Sequence, residues 1–400
     1  MHIEAERQSE AARGAARSPA PAPEAAIDAG YAPRLLEALL LNAATVQASH
    51  LHFEPGGGAL RVAFRADGRV QEARALSEAE GEVLLREIAL GAGLSPAPLL
   101  PQRGELRWGR ETMGVFMLPL VQGHRVVLAR APQQAEYREL QALGMRSALA
   151  QETREVLSGA GLVLVAAPAG HGRSTTLRTL LALAANGSRP ALAVSGDDMP
   201  ALPGVARADG SLIAPAELLR AGAEQDLDVL MIDSLADRSA AAAAVRAAEA
   251  GLLVLAGVEA ADAIAAIQQL RNWRVEPFQL ASTLALVLGQ RLVRRLCPEC
   301  REPVQATGSV SALLGFDPGA IVYAPAGCPA CEDSGFAGQI GVFESIRGDG
   351  TIRRLVNDGG DAAIIARHAF ISTPNLGSAA RALARTAVTT PEEAVRISRG

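Results

Sequence analysis

Between residues 161 and 258, short and wholly apolar runs alternate with Ala- and Leu-rich stretches of helical length. This alternation restricts the fold more than any other property of the chain. The apolar runs are GLVLVAA, ALAVS, DVLMID and LLVLAG, and the stretches between them include STTLRTLLALAA, PAELLRAGAE and RSAAAAAVRAAEA. A strand that is apolar at every position has both faces covered, which is the habit of parallel sheets flanked by helices. Strands spaced by helices imply βαβ crossovers and an α/β fold class. Ligands in such sheets gather at the carboxyl ends of the strands, so the loops after Ala167, Ser195, Ile232 and Ala256 are the places to look. The run Ala240 to Ala244, with Val245, Arg246 and Glu249 after it, reads as a surface crossover helix.

The flanks have other patterns. Residues 1–30 are rich in Ala, Pro and Glu without an apolar period and read as a disordered tail; they lack the apolar core of a secretory signal. Residues 31–135 read as an α+β module, with a helix over Arg34 to Val46 and another over Ser77 to Ala92. Its strands include LRVAFRADGRV, turning at Asp67-Gly68, and the pair GVFMLPLV and HRVVLAR around Gln122-Gly123. Residues 136–290 form the α/β core, 291–345 a cysteine-bearing module and 346–400 a C-terminal helical region. The apolar stretches Val156 to His171 and Pro277 to Gln290 fall short of the ~20 residues that span a bilayer.

The strand GLVLVAA runs into APAGHGRSTT, which fits a phosphate loop of the form GxxxxGK followed by Ser or Thr, with Ala167, Gly172, Arg173 and Ser174 at its fixed positions. The glycines let backbone N–H groups cradle phosphates, the lysine reaches the β and γ phosphates, and the hydroxyl meets Mg2+. Gly170, Gly172, Ser174 and Thr175 keep that chemistry, whereas Ala167 replaces the first glycine and Arg173 the lysine. A planar guanidinium fork is no simple substitute for a compact ammonium in a tight cradle. Two readings stay open: a loop that holds nucleotide, and one that keeps its fold without holding a triphosphate productively. The strand DVLMID ends in Asp233, suited to help hold Mg2+, but the next residue is Ser234, which is no general base at neutral pH.

Two CxxC pairs, Cys297/Cys300 and Cys328/Cys331, are separated by 27 residues. Two matched knuckles of thiolates close a tetrahedral zinc site with no open position, a structural rather than catalytic arrangement. This accounts for the pairs better than unrelated thiols or a redox motif. His50 and His52 alternate with apolar residues and share one face of a strand, expected to look to solvent. Arg291, Arg294 and Arg295 stand at helical spacing and read as a solvated face or a contact for an acidic partner.

Composition narrows function further. All 38 basic residues are Arg, the formal net charge is -5 and aromatics make up 3% of the chain. Neither a polyanion-binding field nor stacking platforms for single strands are available, so no nucleic-acid partner is expected.

The segment VEPFQLASTLALVLGQRLVRRLCPECREP, followed by GCPACEDSGFAGQIGVFE, resembles nearly letter for letter the region after the ATPase core in the type II secretion and type IV pilus-assembly ATPases, the GspE/PilB group. ASHLHFEP and FRADG resemble that family's amino-terminal module, and VTTPEEAVRIS its carboxyl-terminal end, so the resemblance covers about residues 40–398. The paired cysteine knuckles set the chain apart from retraction and tight-adherence ATPases, which lack them. The resemblance implies a RecA-like parallel-sheet P-loop NTPase core with an inserted four-cysteine module, built into a hexamer. It implies ATP and Mg2+ as cofactors beside structural Zn2+, a cytoplasmic location peripheral at the inner membrane, and secretion or pilus platform proteins there as partners. The family's first amino-terminal domain, which docks on that platform, is expected to be absent or reduced to the tail.

Residue by residue, the chain departs from the family where chemistry is done. The phosphate-loop lysine matches Arg173. The acidic Asp-box pair matches Ser195 and Gly196, with Asp197 and Asp198 following directly. The Gly-Glu pair matches Asp233 and Ser234, the two His-box histidines match Leu252 and Glu259, and an amino-terminal arginine matches Glu105. The departures imply a catalytically degenerate subunit, a pseudo-ATPase with a structural or regulatory role in homo- or hetero-hexamers with an active paralogue, and leave ATP binding open. The alternative is an active hexameric motor for pilus or pseudopilus assembly or protein secretion, with Arg173, Asp197 or Asp198, and Asp233 in relocated roles.

Overall fold

The computed structural model describes residues 30–399 apart from 67–68, 110, 131–138, 186–187, 197–201, 211–212 and 318. The expected tail, save Gly30, and the Asp67-Gly68 turn therefore lie outside the described residues. The chain divides into two compact units, Met1–Ala131 and Pro132–Gly400.

In the first unit, α1 (Tyr31–Thr45) buries Leu35, Leu36, Leu39, Leu40 and Ala43, the three-and-four spacing of an amphipathic helix. It precedes β1 (His50–Gly56), β2 (Ala59–Ala66) and β3 (Arg69–Ser77), and α2 (Glu78–Gly91) follows. Ser77 caps α2 reciprocally: its Oγ accepts the Glu80 N–H, and the Glu80 carboxylate accepts the Ser77 N–H at 2.9 Å. The strands β4 (Gln102–Trp108), β5 (Glu111–Pro119) and β6 (His124–Arg130) complete a sheet of order β3-β2-β1-β6-β5-β4, antiparallel throughout. Leu51, Phe53, Val62 and Val115 share a core with Leu84 and Ile88 of α2. Of the two histidines expected to face solvent, His52, on β1 between β2 and β6, is only 8% exposed and both its ring nitrogens lack hydrogen-bond partners, whereas His50 stays partly exposed, with Nδ1 3.0 Å from Ser49 Oγ. Burial lowers the pKa of both His50 and His52, and nearby Arg65 adds to it.

The second unit continues with α3 (Ser147–Leu157), β7 (Gly161–Ala166), α4 (Arg173–Ala185), β8 (Ala191–Ser195), β9 (Val205–Asp209) and α5 (Pro215–Ala223). Next come β10 (Val229–Leu235), α6 (Arg238–Glu249), β11 (Leu253–Val258), α7 (Ala263–Asn272), α8 (Pro277–Thr283) and β12 (Leu284–Leu296). The cysteine-bearing part holds β13 (Arg301–Gln305), α9 (Gly308–Leu314), β14 (Ile321–Pro325) and β15 (Phe336–Arg347). The chain closes with α10 (Gly350–Asn357), α11 (Ala362–Ala369), α12 (Leu376–Arg385) and α13 (Pro391–Arg399). Seven strands form one sheet in the order β15-β12-β7-β11-β10-β8-β9, parallel except for the antiparallel β12–β15 pair.

The apolar runs alternate sides, as sheets covered on both faces require. Leu162, Leu164 and Ala166 of β7 face Val245, Ile267 and Leu280, whereas Val163 and Val165 face Leu149, Leu177 and Leu181. The alanine-rich stretch is the expected crossover helix, α6, but not a surface one: Ala240, Ala241, Ala243, Ala244, Ala247 and Ala248 are all buried. Methyl side chains let it lie close to both the sheet and its helical neighbours.

Two further features differ from the sequence expectation. Arg291, Arg294 and Arg295 lie on a strand rather than a helix, and residue 290, where the core was expected to end, lies inside β12. The C-terminal helices also divide between two cores. Ile352, Val356 and Ile365 of α10 and α11 join the main sheet, while Leu376, Ala380 and Ala384 of α12 and Ala394 and Ile397 of α13 pack with Val293, Phe316 and Val342.

Candidate nucleotide loop and cysteine centre

The loop between β7 and α4 is tied at its start by the Ala167 N–H, which donates to the Val258 carbonyl at 3.2 Å. Gly170 and Gly172 turn it at φ +76° and +80°, a conformation that glycine adopts without a Cβ penalty. A Cβ on Gly172 would also stand 2.8 Å from Gln290 Nε2. The helix α4 begins at Arg173, and the Thr176 N–H returns to the Gly172 carbonyl at 3.1 Å. The amino end of a helix therefore opens onto the loop, where unpaired N–H groups favour an anion.

Strand β12 holds this loop in shape. Thr176 Oγ1 donates to Gln290 Oε1 at 2.6 Å, Gln290 Nε2 donates to the His171 carbonyl at 2.8 Å, and the Leu292 N–H donates to His171 Nδ1 at 3.0 Å. Burial lowers the pKa of His171, and the charges of Arg291 and Arg396 push in the same direction.

Arg173 lies over β11. A Cβ on Gly257 would come within 3.0 Å of Arg173 Cδ and Nε and 2.1 Å of the Asp233 carbonyl oxygen, so only glycine fits there. Arg173 Nε and Nη1 are buried without hydrogen-bond partners, a costly state that an anion or water would relieve. The β10–β11 register shifts between Ile232 and Leu235, and Asp233 and Ser234, both partly buried, sit in that irregular stretch.

The structure thus brings Gly170, Gly172, Arg173, Ser174 and Thr175 to the carboxyl edge of the sheet, and Asp233 and Ser234 to the same edge. Ser195 is buried at the end of β8, and its Oγ donates to the Gly196 carbonyl at 3.2 Å. Asp197 and Asp198 lie outside the described residues. Glu259, exposed, follows β11 at the loop edge. Leu252 precedes β11 at the opposite edge, about 20 Å away along a six-residue strand, where its carbonyl accepts the Gly161 N–H. Glu105 is an exposed residue on β4 of the first unit, opposite Gly114.

Sequence reasoning missed three residues. Gln290 is the polar interruption of an apolar run and is 2% exposed. His171 occupies a position that the loop pattern leaves free. Glu344 is 4% exposed and accepts the Ala263 N–H at 2.9 Å and the Leu376 N–H at 2.8 Å, joining the first residues of α7 and α12. Burial pushes its carboxyl pKa up, against the pull of those two N–H donors. No local signal marks Glu344, because its partners are 81 and 32 positions away.

The four cysteines converge, with sulfurs all within 4.8 Å of one another. Cys297···Cys328 is 3.9 Å, and Cys300···Cys331 and Cys328···Cys331 are each 3.7 Å. A tetrahedron of thiolates around zinc has edges of about 3.8 Å, given Zn–S bonds of about 2.3 Å, so these residues fit that ion. Burial alone would raise the Cys331 thiol, but N–H groups of Cys328 and Gly335, at 3.3 and 3.2 Å from its sulfur, help bring it down to about 7. The second knuckle needs Gly335 at φ +73°, where a Cβ would strike Pro325 at 2.3 Å.

The module is locked to the chain's last helix. Arg294 pairs with Glu393 at 3.0 Å, both about one-tenth exposed, and its guanidinium covers the Phe336 ring at 3.7 Å. Arg396 meets the same carboxylate at 2.8 Å, and Thr389 Oγ1 donates to the Arg294 carbonyl at 2.7 Å. Arg294 is therefore a buried tie rather than part of a solvated face.

A parallel sheet whose strand passes through a glycine-turned loop into a helix is the architecture of phosphate-loop proteins, here with a four-cysteine cluster built off the β12–β15 pair. The chain matches the family described as Type II/IV secretion system protein over residues 25–396, and it belongs to that family. Type II secretion system protein E of Pseudomonas aeruginosa is 35% identical over 379 residues, covering 92% of this chain and 75% of that protein. Type II secretion system ATPase E of Vibrio cholerae is 31% identical over 378 residues, with the same coverage of each. In fold, the chain is similar to the Legionella pneumophila ATPase DotB, with a TM-score of 0.67 at 15% identity over 92% of this chain and 96% of that one. It is likewise similar to the pilus retraction motor PilT solved with bound ADP, with a TM-score of 0.61 at 17% identity over 90% and 96%. Among the described residues no helix is long and apolar enough to cross a membrane.

Proposed function

We propose that this chain is a nucleotide-holding, hydrolysis-deficient subunit of a secretion or pilus-assembly ATPase ring, working beside an active paralogue. The observation that carries this reading is the pair Asp233 and Ser234 at the end of β10: a carboxylate suited to Mg2+ is followed by a hydroxyl where a general base is needed. The loop supports retention of the phosphates. Its backbone is fixed by Gln290 and the Leu292 N–H, and Arg173 has buried donors without partners. In this reading ATP and Mg2+ occupy the loop, zinc is held by Cys297, Cys300, Cys328 and Cys331, and the ring is a hexamer at a platform on the cytoplasmic side of the inner membrane. The ADP in PilT and the ATPase named in Vibrio cholerae support nucleotide as the ligand class.

The test is thermal denaturation with and without Mg-ATP, beside a phosphate-release assay on wild type and Arg173→Ala. The expected result is stabilisation by mass action with release no faster than in the variant. Steady release well above that of Arg173→Ala replaces this reading with that of an active motor.

A further inference from the structure

The phosphate loop owes its shape to a histidine that the loop pattern does not require. Leu292 has both backbone groups committed: its N–H donates to His171 Nδ1 at 3.0 Å, and its carbonyl accepts from Arg396 Nη2 at 2.9 Å. An Nδ1 that accepts a hydrogen bond carries no proton, so the neutral ring has its proton on Nε2. An imidazolium donates from both nitrogens and would set donor against donor at Leu292. One carbonyl further along the same residue, His171 also accepts from Gln290 Nε2, which Thr176 orients. Side chain and backbone of His171 are thus both fastened to β12, beside Gly172 and the start of α4.

We propose that His171 is the positioning residue of the phosphate loop, a latch that closes on the Leu292 N–H only while Nδ1 is unprotonated. Resting on the nucleotide-holding reading, this makes the loop's hold on phosphates fall as acid opens the latch. The surrounding charges keep the latch closed near neutrality. Arg291 on β12 and Arg396 on α13 both disfavour the imidazolium, and Arg173 follows two residues on; two carboxylates beside these arginines are already engaged, Glu393 by Arg294 and Arg396 and Glu344, near Arg291, by the Ala263 and Leu376 N–H groups. His171→Asn offers an amide oxygen in place of Nδ1 and does not titrate, whereas His171→Ala removes the acceptor.

The experiment uses the full chain. Exchange of the Leu292 amide is followed without nucleotide at about pH 7.5 and about pH 5.5, corrected for intrinsic rates, and Mg-ATP affinity is measured calorimetrically at the same values. Wild type and His171→Asn should protect Leu292 at the higher pH and His171→Ala should not; at the lower pH wild type should lose protection and His171→Asn keep it. Affinity should fall more in wild type than in His171→Asn over that interval, by less than the roughly tenfold that an imidazole of ordinary pKa would give, because burial and the charges of Arg291 and Arg396 lower that of His171. The latch is overturned if Leu292 is equally protected in His171→Ala, or equally protected in wild type at both pH values. That exchange pattern with no ATP bound at any pH upholds the latch and removes the nucleotide-holding reading instead.

Discussion

The cysteine centre and the phosphate loop lie along one strand and have fared differently. Around the cysteines every chemical group needed is present: four sulfurs at tetrahedral spacing, N–H donors to one of them, and a buried ion pair fastening the last helix. Around the loop the backbone is equally well held, but in the reading proposed above the groups that do chemistry are exchanged, with Arg173, lying across Gly257, in place of the lysine and Ser234 in place of the base. The hydrogen bonds from Gln290 and Leu292 of β12 go to Thr176 and His171, not to Arg173 or Ser234. The two regions can therefore be broken separately.

The largest effect should come from the centre. Cys331→Ser, or chelation of the wild type, should abolish zinc content by elemental analysis and unfold the module, since structural zinc supplies on the order of 10 kcal/mol. Nucleotide affinity should change less than thermal stability does. Next, Glu393→Ala leaves Arg294 buried without its partner and should lower stability by about 3–5 kcal/mol in denaturant titration, while Arg295→Ala, exposed on the same strand, should be near neutral.

On the loop side, the double change Arg173→Lys with Ser234→Glu should raise phosphate release by about 10²-fold, the lower range for a positioned base. No gain would place the deficit elsewhere, in Ser195 or Glu259. A smaller effect is set by pH. Burial acts to raise the Glu393 carboxyl, but the bonds from Arg396 and Arg294 outweigh it and leave its pKa below the ordinary range. Its stabilisation is therefore present above the ordinary carboxylate range and lost as pH falls through the depressed value. Melting temperature should drop more steeply on acidification in wild type than in Glu393→Gln. Smallest of all, Leu252→His should leave ATP affinity unchanged, because that position is at the far edge of the sheet from the loop. A clear change in affinity would show that the two edges communicate.

Much of this was legible in the residues. Strands apolar at every position announced a two-faced sheet, and the glycines and cysteines marked where the two candidate sites gather, because each signal is local. What stayed hidden depended on distant partners. Residues 284–296 look ambiguous alone, and the spacing of Arg291, Arg294 and Arg295 suggested a helix. Pairing with β7 on one side and β15 on the other makes them a strand. The burial of His52 follows from β6, more than seventy residues later. The identity of Arg173 could be read, but not that its side chain lies over Gly257 with two donors unpaired.

Strand β12 is thirteen residues long and hydrogen-bonded to β15 along nearly its whole length. The same strand carries Gln290 and Leu292, which fasten the phosphate loop, and leads into Cys297, with a register shift against β15 between them at Arg294–Leu296. Mechanical coupling between the two candidate sites would therefore have to pass through that shift.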